Sequence, residues 1–254
     1  MLIDQAIDAF WQCATQRVPP PAEWIGRLDR ETAYRVQLGV LAHHVRGGDR
    51  HVGWKVGLTS KAMQIQQRVH EPVFGFLLAS GDRASGARLP FAELINPGFE
   101  NELCLTVGRT LRGPGITTEQ AAAALSGVAP AFEIIEKRGD FAADLNVSLA
   151  DNAQQRFFVT GASVPARPGA DLAAVSLELR VNGAPAERAL GREVLGTPAA
   201  SAAWLANKLA EFGLDLEAGM RVMSGSFTKQ YPLGMGDRIE ARFDPVGTVT
   251  AEFP

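Results

Sequence analysis

Apolar positions recur every three to four residues in two early stretches of the chain. Ile3, Ile7, Phe10 and Trp11 form one stripe, which predicts an amphipathic helix from Ile3 to Gln16. The run Pro19-Pro20-Pro21 breaks it. Tyr34, Leu38, Leu41 and Val45 predict a second helix that starts near Asp29 or Thr32 and ends at Gly47-Gly48. From His51 onward the texture changes to short apolar runs punctuated by Gly and Pro, which reads as mostly β. Two helices interrupt it. One runs from a Thr117 cap to Leu125, with Gln120 three residues after the cap and Gly127 beyond the end. The other has Thr197 as cap, Pro198 in the first turn, an apolar face of Trp204, Leu205, Leu209 and Phe212, and Gly213 as terminator. Strands follow around 221–224, 238–243 and 248–253, and 162–172 reads as a loop. The pattern divides the chain into a helical N-terminal region, 1–50, and a β-rich region, 51–254.

Charge inside the β pattern brings in chemistry. Phe99 to Val107 reads as a strand, so Glu100 and Glu102 share one face while Leu103, Leu105 and Val107 share the other. Two carboxylates side by side repel unless water or a cation lies between them. Ala131-Phe132-Glu133-Ile134-Ile135 places a third carboxylate in an apolar strand, where an unpaired buried charge would cost several kcal/mol. A solvated face explains the carboxylates; so does an oxygen-rich site for a hard divalent cation such as Mg²⁺. In Gly53-Trp54-Lys55-Val56-Gly57, the apolar Trp54 and Val56 alternate with Lys55. Lys55 is then either an exposed strand lysine or a cavity-wall lysine fit for acid–base work. His43 and His44 lie near the negative end of the second helix, where either charge complementarity or catalysis would place them. Asp151-Asn152 has the composition of a turn, and the backbone and hydroxyls of Gly225-Ser226-Phe227-Thr228 could hold a carboxylate.

Composition narrows the classes. The 254-residue chain carries a formal net charge of −3, which argues against a nucleic-acid partner. No apolar run is long enough to span a bilayer, and the early acid Asp4 does not fit a signal peptide. Cys13 and Cys104 lie far apart, and Cys104 falls in the strand as a small hydrophobe. A reducing cytoplasm fits. There is no dinucleotide, P-loop, zinc-protease or nucleophile-elbow motif.

Taken in order, Gly53–Lys61, Glu100-Asn101-Glu102, Pro130-Ala131-Phe132-Glu133, Ala150-Asp151-Asn152-Ala153, Ala203–Leu209 and Gly225-Ser226-Phe227-Thr228 resemble the fumarylacetoacetate hydrolase superfamily. They are most similar to its branch of 2-hydroxypenta-2,4-dienoate hydratases and 4-oxalocrotonate decarboxylases. The resemblance covers nearly the whole chain. It implies an α+β fold, a mixed β-roll with a small helical N-terminal region, assembled as a homo-oligomer. It implies Glu100, Glu102 and Glu133 as ligands of Mg²⁺ or Mn²⁺, and Lys55 as the general acid–base. It implies a 2-hydroxydienoate or 2-oxo acid substrate, with Leu58, Ser60, Lys61, Val73, Asp151, Asn152, Ser226, Phe227 and Thr228 around it. The chain departs from the branch's pattern at three places. Val73 stands where hydratases carry an acid, Thr197 where a His is common, and Gln154-Gln155-Arg156 where small residues are usual. The preferred reading is a hydratase of aromatic meta-cleavage catabolism. A decarboxylase, and a non-catalytic partner of a sister hydratase or decarboxylase, remain as alternatives.

Overall fold

Asp29 accepts a hydrogen bond from Thr32 N and so starts the second helix at Arg30. Local signals of this kind set most element bounds in the computed structural model, which describes residues 2–139 and 144–254. Met1, at the head of the N-terminal segment, lies outside them. Helices α1 (Leu2–Gln16) and α2 (Arg30–Arg46) come first. Strand β1 (His51–Gly57), helix α3 (Lys61–Gln66), then β2 (Val73–Leu78), β3 (Asp82–Ala84), β4 (Ala87–Arg88) and β5 (Pro97–Val107) follow. Next are α4 (Thr118–Ala124), β6 (Leu125–Glu136), α5 (Leu145–Ala150), β7 (Gln155–Thr160), β8 (Val164–Pro165), β9 (Ser176–Val181) and β10 (Ala184–Leu190). The chain closes with α6 (Pro198–Ala210), β11 (Arg221–Met223), β12 (Tyr231–Pro232), β13 (Arg238–Asp244) and β14 (Gly247–Glu252).

The larger sheet runs β2-β1-β11-β5-β6-β7-β3, with β12 on β5 and β8 on β6. The smaller runs β10-β9-β13-β14-β4. Both mix parallel and antiparallel pairs, since β1–β11, β3–β7 and β14–β4 are parallel. The fold is α+β, with the helical segment at the N-terminus, as the sequence pattern predicts.

One face of the larger sheet meets the helices. Trp54, Phe74, Phe76 and Phe132 are buried there with Phe10, Tyr34 and Val40. Each such side chain contributes roughly 1.5–3 kcal/mol by burial. Tyr34 stacks on Phe74 with ring centroids 4.2 Å apart, and Gln37 Nε2 donates to the carbonyls of Phe74 and Leu149. The opposite face carries a smaller apolar cluster of Leu77, Cys104, Ala129, Ala131, Phe158 and Met223. Cys104 packs there as a small hydrophobe, and Cys13 is likewise a free, buried thiol.

Three expectations change. Helix α4 has its capping box at Thr117 and Gln120 but passes directly into β6 at Leu125, so Gly127 is a strand residue. Thr197 occupies the cap position of α6 without a side-chain hydrogen bond. The ring of His44 packs edge-on against Trp11 and tilted to Phe76. Burial lowers its pKa and favours neutral imidazole, so its placement is governed by packing and not by charge complementarity with the helix end.

Candidate metal and acid–base site

The ladder register assembles the charged residues. In β5 and β6, Glu100 pairs with Glu133 and Glu102 with Ala131. Across β1, β11 and β5, Lys55 pairs with Met223 and Met223 with Cys104. Paired residues project to the same face. Lys55, Glu100, Glu102 and Glu133 therefore converge on the face with the small apolar cluster, away from the helices.

The convergence is tight. One carboxylate oxygen from each of Glu100, Glu102 and Glu133 lies within 4.8 Å of the others. Lys55 Nζ is 3.1 Å from Glu133 Oε1 and donates to Oε2 at 3.5 Å. Glu102 and Glu133 are fully buried and Lys55 nearly so, while Glu100 keeps some exposure. Glu102 and Glu133 are thus closed to water, which excludes a simple solvated-face explanation for these two carboxylates.

Burial and mutual repulsion push the Glu102 carboxyl well above its usual range, although the Gly225 N–H and Lys55 act the other way. Burial raises Glu133 to about 7, with Lys55 opposing and Glu100 assisting. Burial alone would lower the Lys55 pKa, but the three carboxylates outweigh it and raise it. The cluster is short of positive charge. Glu102 Oε1 is also buried without a hydrogen-bond donor, and Glu133 Oε1 has only the Lys55 ammonium beside it. Three converging carboxylates, an unsatisfied Glu102 oxygen and no sulfur or imidazole in the trio fit a hard divalent cation.

The segment after β11 shapes one side. Ser224 to Thr228 runs along β5: Ser224 N donates to Leu103 O and Phe227 N to Asn101 O. Gly225 N donates to Glu102 Oε2 at 2.9 Å. Gly225 has φ +102°, and a Cβ there would lie 2.4 Å from Thr59 Cγ2, so only glycine brings this N–H to Glu102. Asn101 Nδ2 donates to Thr228 Oγ1, and Asn101 N to Ser226 Oγ.

The other expected substrate contacts divide. Leu58 has φ +54° and its carbonyl accepts from Gln64. Ser60 caps α3 by accepting from Met63 N, and Lys61 is exposed, reaching Gln64. Val73 is on the Lys55 face and buried; its Cγ2 and Lys55 Nζ lie 3.3 and 3.5 Å from where a Gly57 side chain would begin. The Phe227 ring departs from expectation, because it is buried against Phe243 of the smaller sheet. Asn152 clamps the edge strand β2, with Oδ1 accepting from Phe76 N and Nδ2 donating to Phe76 O. Asp151 instead pairs with Arg138 at 2.5 Å, in a cavity on the helix side of the sheet. Sequence reasoning missed Gln230, whose Nε2 donates to Glu100 Oε1 at 3.3 Å. It also missed Thr59, which packs against Gly225.

Comparison with known proteins follows the same lines. The family described as fumarylacetoacetate (FAA) hydrolase C-terminal matches residues 39–253. The 2-hydroxyhexa-2,4-dienoate hydratase of Comamonas testosteroni is 39% identical over 88% of this chain and 86% of its own length. The 4-oxalocrotonate decarboxylase of Pseudomonas sp. (strain CF600) is 36% identical over 87% of this chain and 84% of its own. The structure of 4-oxalocrotonate decarboxylase from Pseudomonas putida G7, complexed with magnesium and adipate, superposes with a TM-score of 0.94 at 31% identity, covering 100% of this chain and 97% of that one.

Proposed function

Because this chain belongs to the fumarylacetoacetate hydrolase family, we propose that it is a metal-dependent hydro-lyase that adds water to a 2-hydroxy-2,4-dienoate in aromatic meta-cleavage catabolism. The observation that carries the reading is a buried Lys55 Nζ 3.1 Å from Glu133, inside a trio of convergent carboxylates. A scaffold or a non-catalytic partner subunit has no need of that lysine. Glu100, Glu102 and Glu133 would hold Mg²⁺, or Mn²⁺. When bound, such a cation stabilises the negative charge that develops on the substrate's 2-oxygen.

The chain's own groups supply the rest. Gly225 N–H and Gln230 fix the orientation of Glu102 and Glu100. Glu133 holds the Lys55 ammonium against the sheet face. Lys55 gives a proton to the dienol carbon as the 2-hydroxyl releases its own, then takes one from the attacking water and returns it to the enolate carbon that addition leaves, the proton released by the 2-hydroxyl restoring the ammonium. Ser226 Oγ sits against the Asn101 backbone N–H at the edge of β5, where it can meet the substrate carboxylate, while the Asn101 side chain holds Thr228 from the opposite face of the strand. Leu77, Phe158 and Met223 keep the inner face dry.

A second reading has a specific observation behind it. The buried Val73 makes the wall near Lys55 apolar, and such a wall cannot activate water. A 2-oxo acid decarboxylase needs no water there, because the polarised ketone accepts the electrons released with CO₂. The reading includes self-association, for which exposed Ile65 and Met235 offer apolar surface, and a cytoplasmic setting that keeps both thiols reduced. Among the described residues, no helix is long and apolar enough to cross a membrane.

The test is the ultraviolet absorbance of 2-hydroxypenta-2,4-dienoate incubated with the purified chain, with and without Mg²⁺, together with CO₂ detection on 4-oxalocrotonate. Magnesium-dependent loss of absorbance is expected. Absorbance that persists on the dienoate, with CO₂ released from the oxalocrotonate, would replace the hydratase reading with the second.

A further inference from the structure

On the helix side of the sheet, α1, α2, β2, the end of β6 and the start of β7 enclose a cavity of about 90 Å³. One water needs on the order of 10–15 Å³ of such space, so there is room for a small organic molecule. Arg17, Arg138, Arg156, Glu136, Asp151 and Gln155 line it. Arg17 Nη2 pairs with Glu136 at 2.6 Å and Arg138 Nη2 with Asp151 at 2.5 Å. The third guanidinium is held more loosely: Arg156 Nε is 3.8 Å from Glu136 Oε2, beyond hydrogen-bond reach, its guanidinium lies over the Phe157 ring, and its side chain is 38% exposed. Arg17 Nε, Arg156 Nε and Gln155 Nε2 are all buried atoms with no acceptor. Three orphaned donors around one cavity are a costly arrangement unless an acceptor enters. Burial and the neighbouring guanidiniums of Arg17, Arg138 and Arg83 also lower the Arg156 pKa, though Glu136 opposes them.

We propose that this cavity is a binding site for a small monocarboxylate, separate from the metal site. The donors call for an oxyanion, and guanidinium groups match the two oxygens of a carboxylate. The charge count selects among anions. Three guanidiniums face Glu136 and Asp151, a positive surplus that suits a monoanion, and a phosphate dianion would be repelled by Glu136. The site lies on the face opposite Lys55, because Phe76 and Glu136 line it while Gly75 and Glu133 face the other way.

The experiment is calorimetric titration of the full-length chain with acetate, and separately with inorganic phosphate, at constant ionic strength, once with Mg²⁺ and once with EDTA. EDTA removes any carboxylate binding that depends on the cation. The expected result is saturable acetate binding that persists in EDTA and exceeds phosphate binding. It should weaken roughly tenfold or more in Arg156→Gln and roughly threefold in Gln155→Leu. Arg156 and Gln155 are both only partly buried, and circular dichroism of each variant checks that it folds. Absence of EDTA-resistant binding, or binding unchanged in both variants, would overturn the site. Phosphate binding more tightly than acetate would overturn the monocarboxylate assignment. None of these outcomes depends on whether the chain turns over a dienoate.

Discussion

Two charged clusters lie on opposite faces of the same sheet, and their balances are reversed. On the inner face, three carboxylates meet one lysine, and Glu102 Oε1 lacks a donor. On the helix side, three guanidiniums meet two carboxylates, and three donors lack acceptors. The inner cluster is the more buried, so solvent relieves its imbalance least; on the helix side Arg17 and Arg156 keep 31% and 38% of their side-chain exposure, and only individual donor atoms are shut off from water. The comparison teaches that the sign of the uncompensated group points to the ligand to test for: a cation in the first case and, on the proposal above, an anion in the second. It also separates roles that the motif Asp151-Asn152 suggests are joined. Asn152 braces β2, whose Gly75 abuts Lys55, while Asp151 belongs to the arginine cluster.

The largest effect that sharpens the contrast is expected at Lys55. Lys55→Met should lower kcat by about 10²–10⁴-fold, the usual range for a positioned acid–base group, with magnesium binding retained. Steady-state kinetics beside a magnesium titration checks both parts. Near wild-type kcat would make Lys55 only the partner of Glu133.

Val73→Asp probes the apolar wall. It should raise the ratio of hydration product to CO₂ by roughly tenfold, below what an ideally placed base delivers, because the new carboxylate is buried. Product analysis on one substrate, wild type against variant, measures it. An unchanged ratio removes the argument from Val73.

Gly225→Ala tests the support of Glu102. The new methyl meets Thr59 at left-handed φ, so a loss of about 1–3 kcal/mol in stability is expected, with weaker magnesium binding. Denaturant unfolding and the magnesium titration report the two effects. Unaltered magnesium binding would show that the Gly225 N–H does not hold Glu102 in place.

Much of the inner cluster was legible in sequence because strand alternation is strict. Glu-x-Glu must share a face, and Lys55 must oppose Trp54 and Val56. The end of α1 was legible from Pro19-Pro20-Pro21, both ends of α2 from Asp29 and Gly47, and the start of α6 from Pro198, for equally local reasons. Other features had no such periodicity. Helices α3 and α5 are one or two turns long, too short for an amphipathic stripe. The β9–β10 hairpin did carry a readable signal, Asn182-Gly183, both at positive φ between the strands. The arginine cluster left no trace, since Arg17, Arg138 and Arg156 come from distant segments that only the tertiary fold unites. Phe227 shows the reverse error: a motif neighbour of the site turned its ring into the core.

The smallest expected effect belongs to the second cluster. Burial raises the Asp151 carboxyl to about 7, although Arg138 opposes it. The folded state therefore binds a proton more tightly than the unfolded chain, whose aspartate titrates near 3.9. That contribution to stability is present below about pH 4 and is lost as pH rises through about 7. In Asp151→Asn the slope of unfolding free energy against pH should become less negative over that window. An identical slope in both proteins would remove Asp151 as its source.

The central claim is that Glu100, Glu102 and Glu133 form one divalent-cation site. Calorimetric titration of magnesium into wild type and Glu102→Gln tests it most directly. Saturable binding at one site per chain is expected in the wild type, with binding lost in the variant while its unfolding temperature without metal is unchanged or higher. Magnesium binding that survives the substitution, or that is absent from the wild type, would contradict the account.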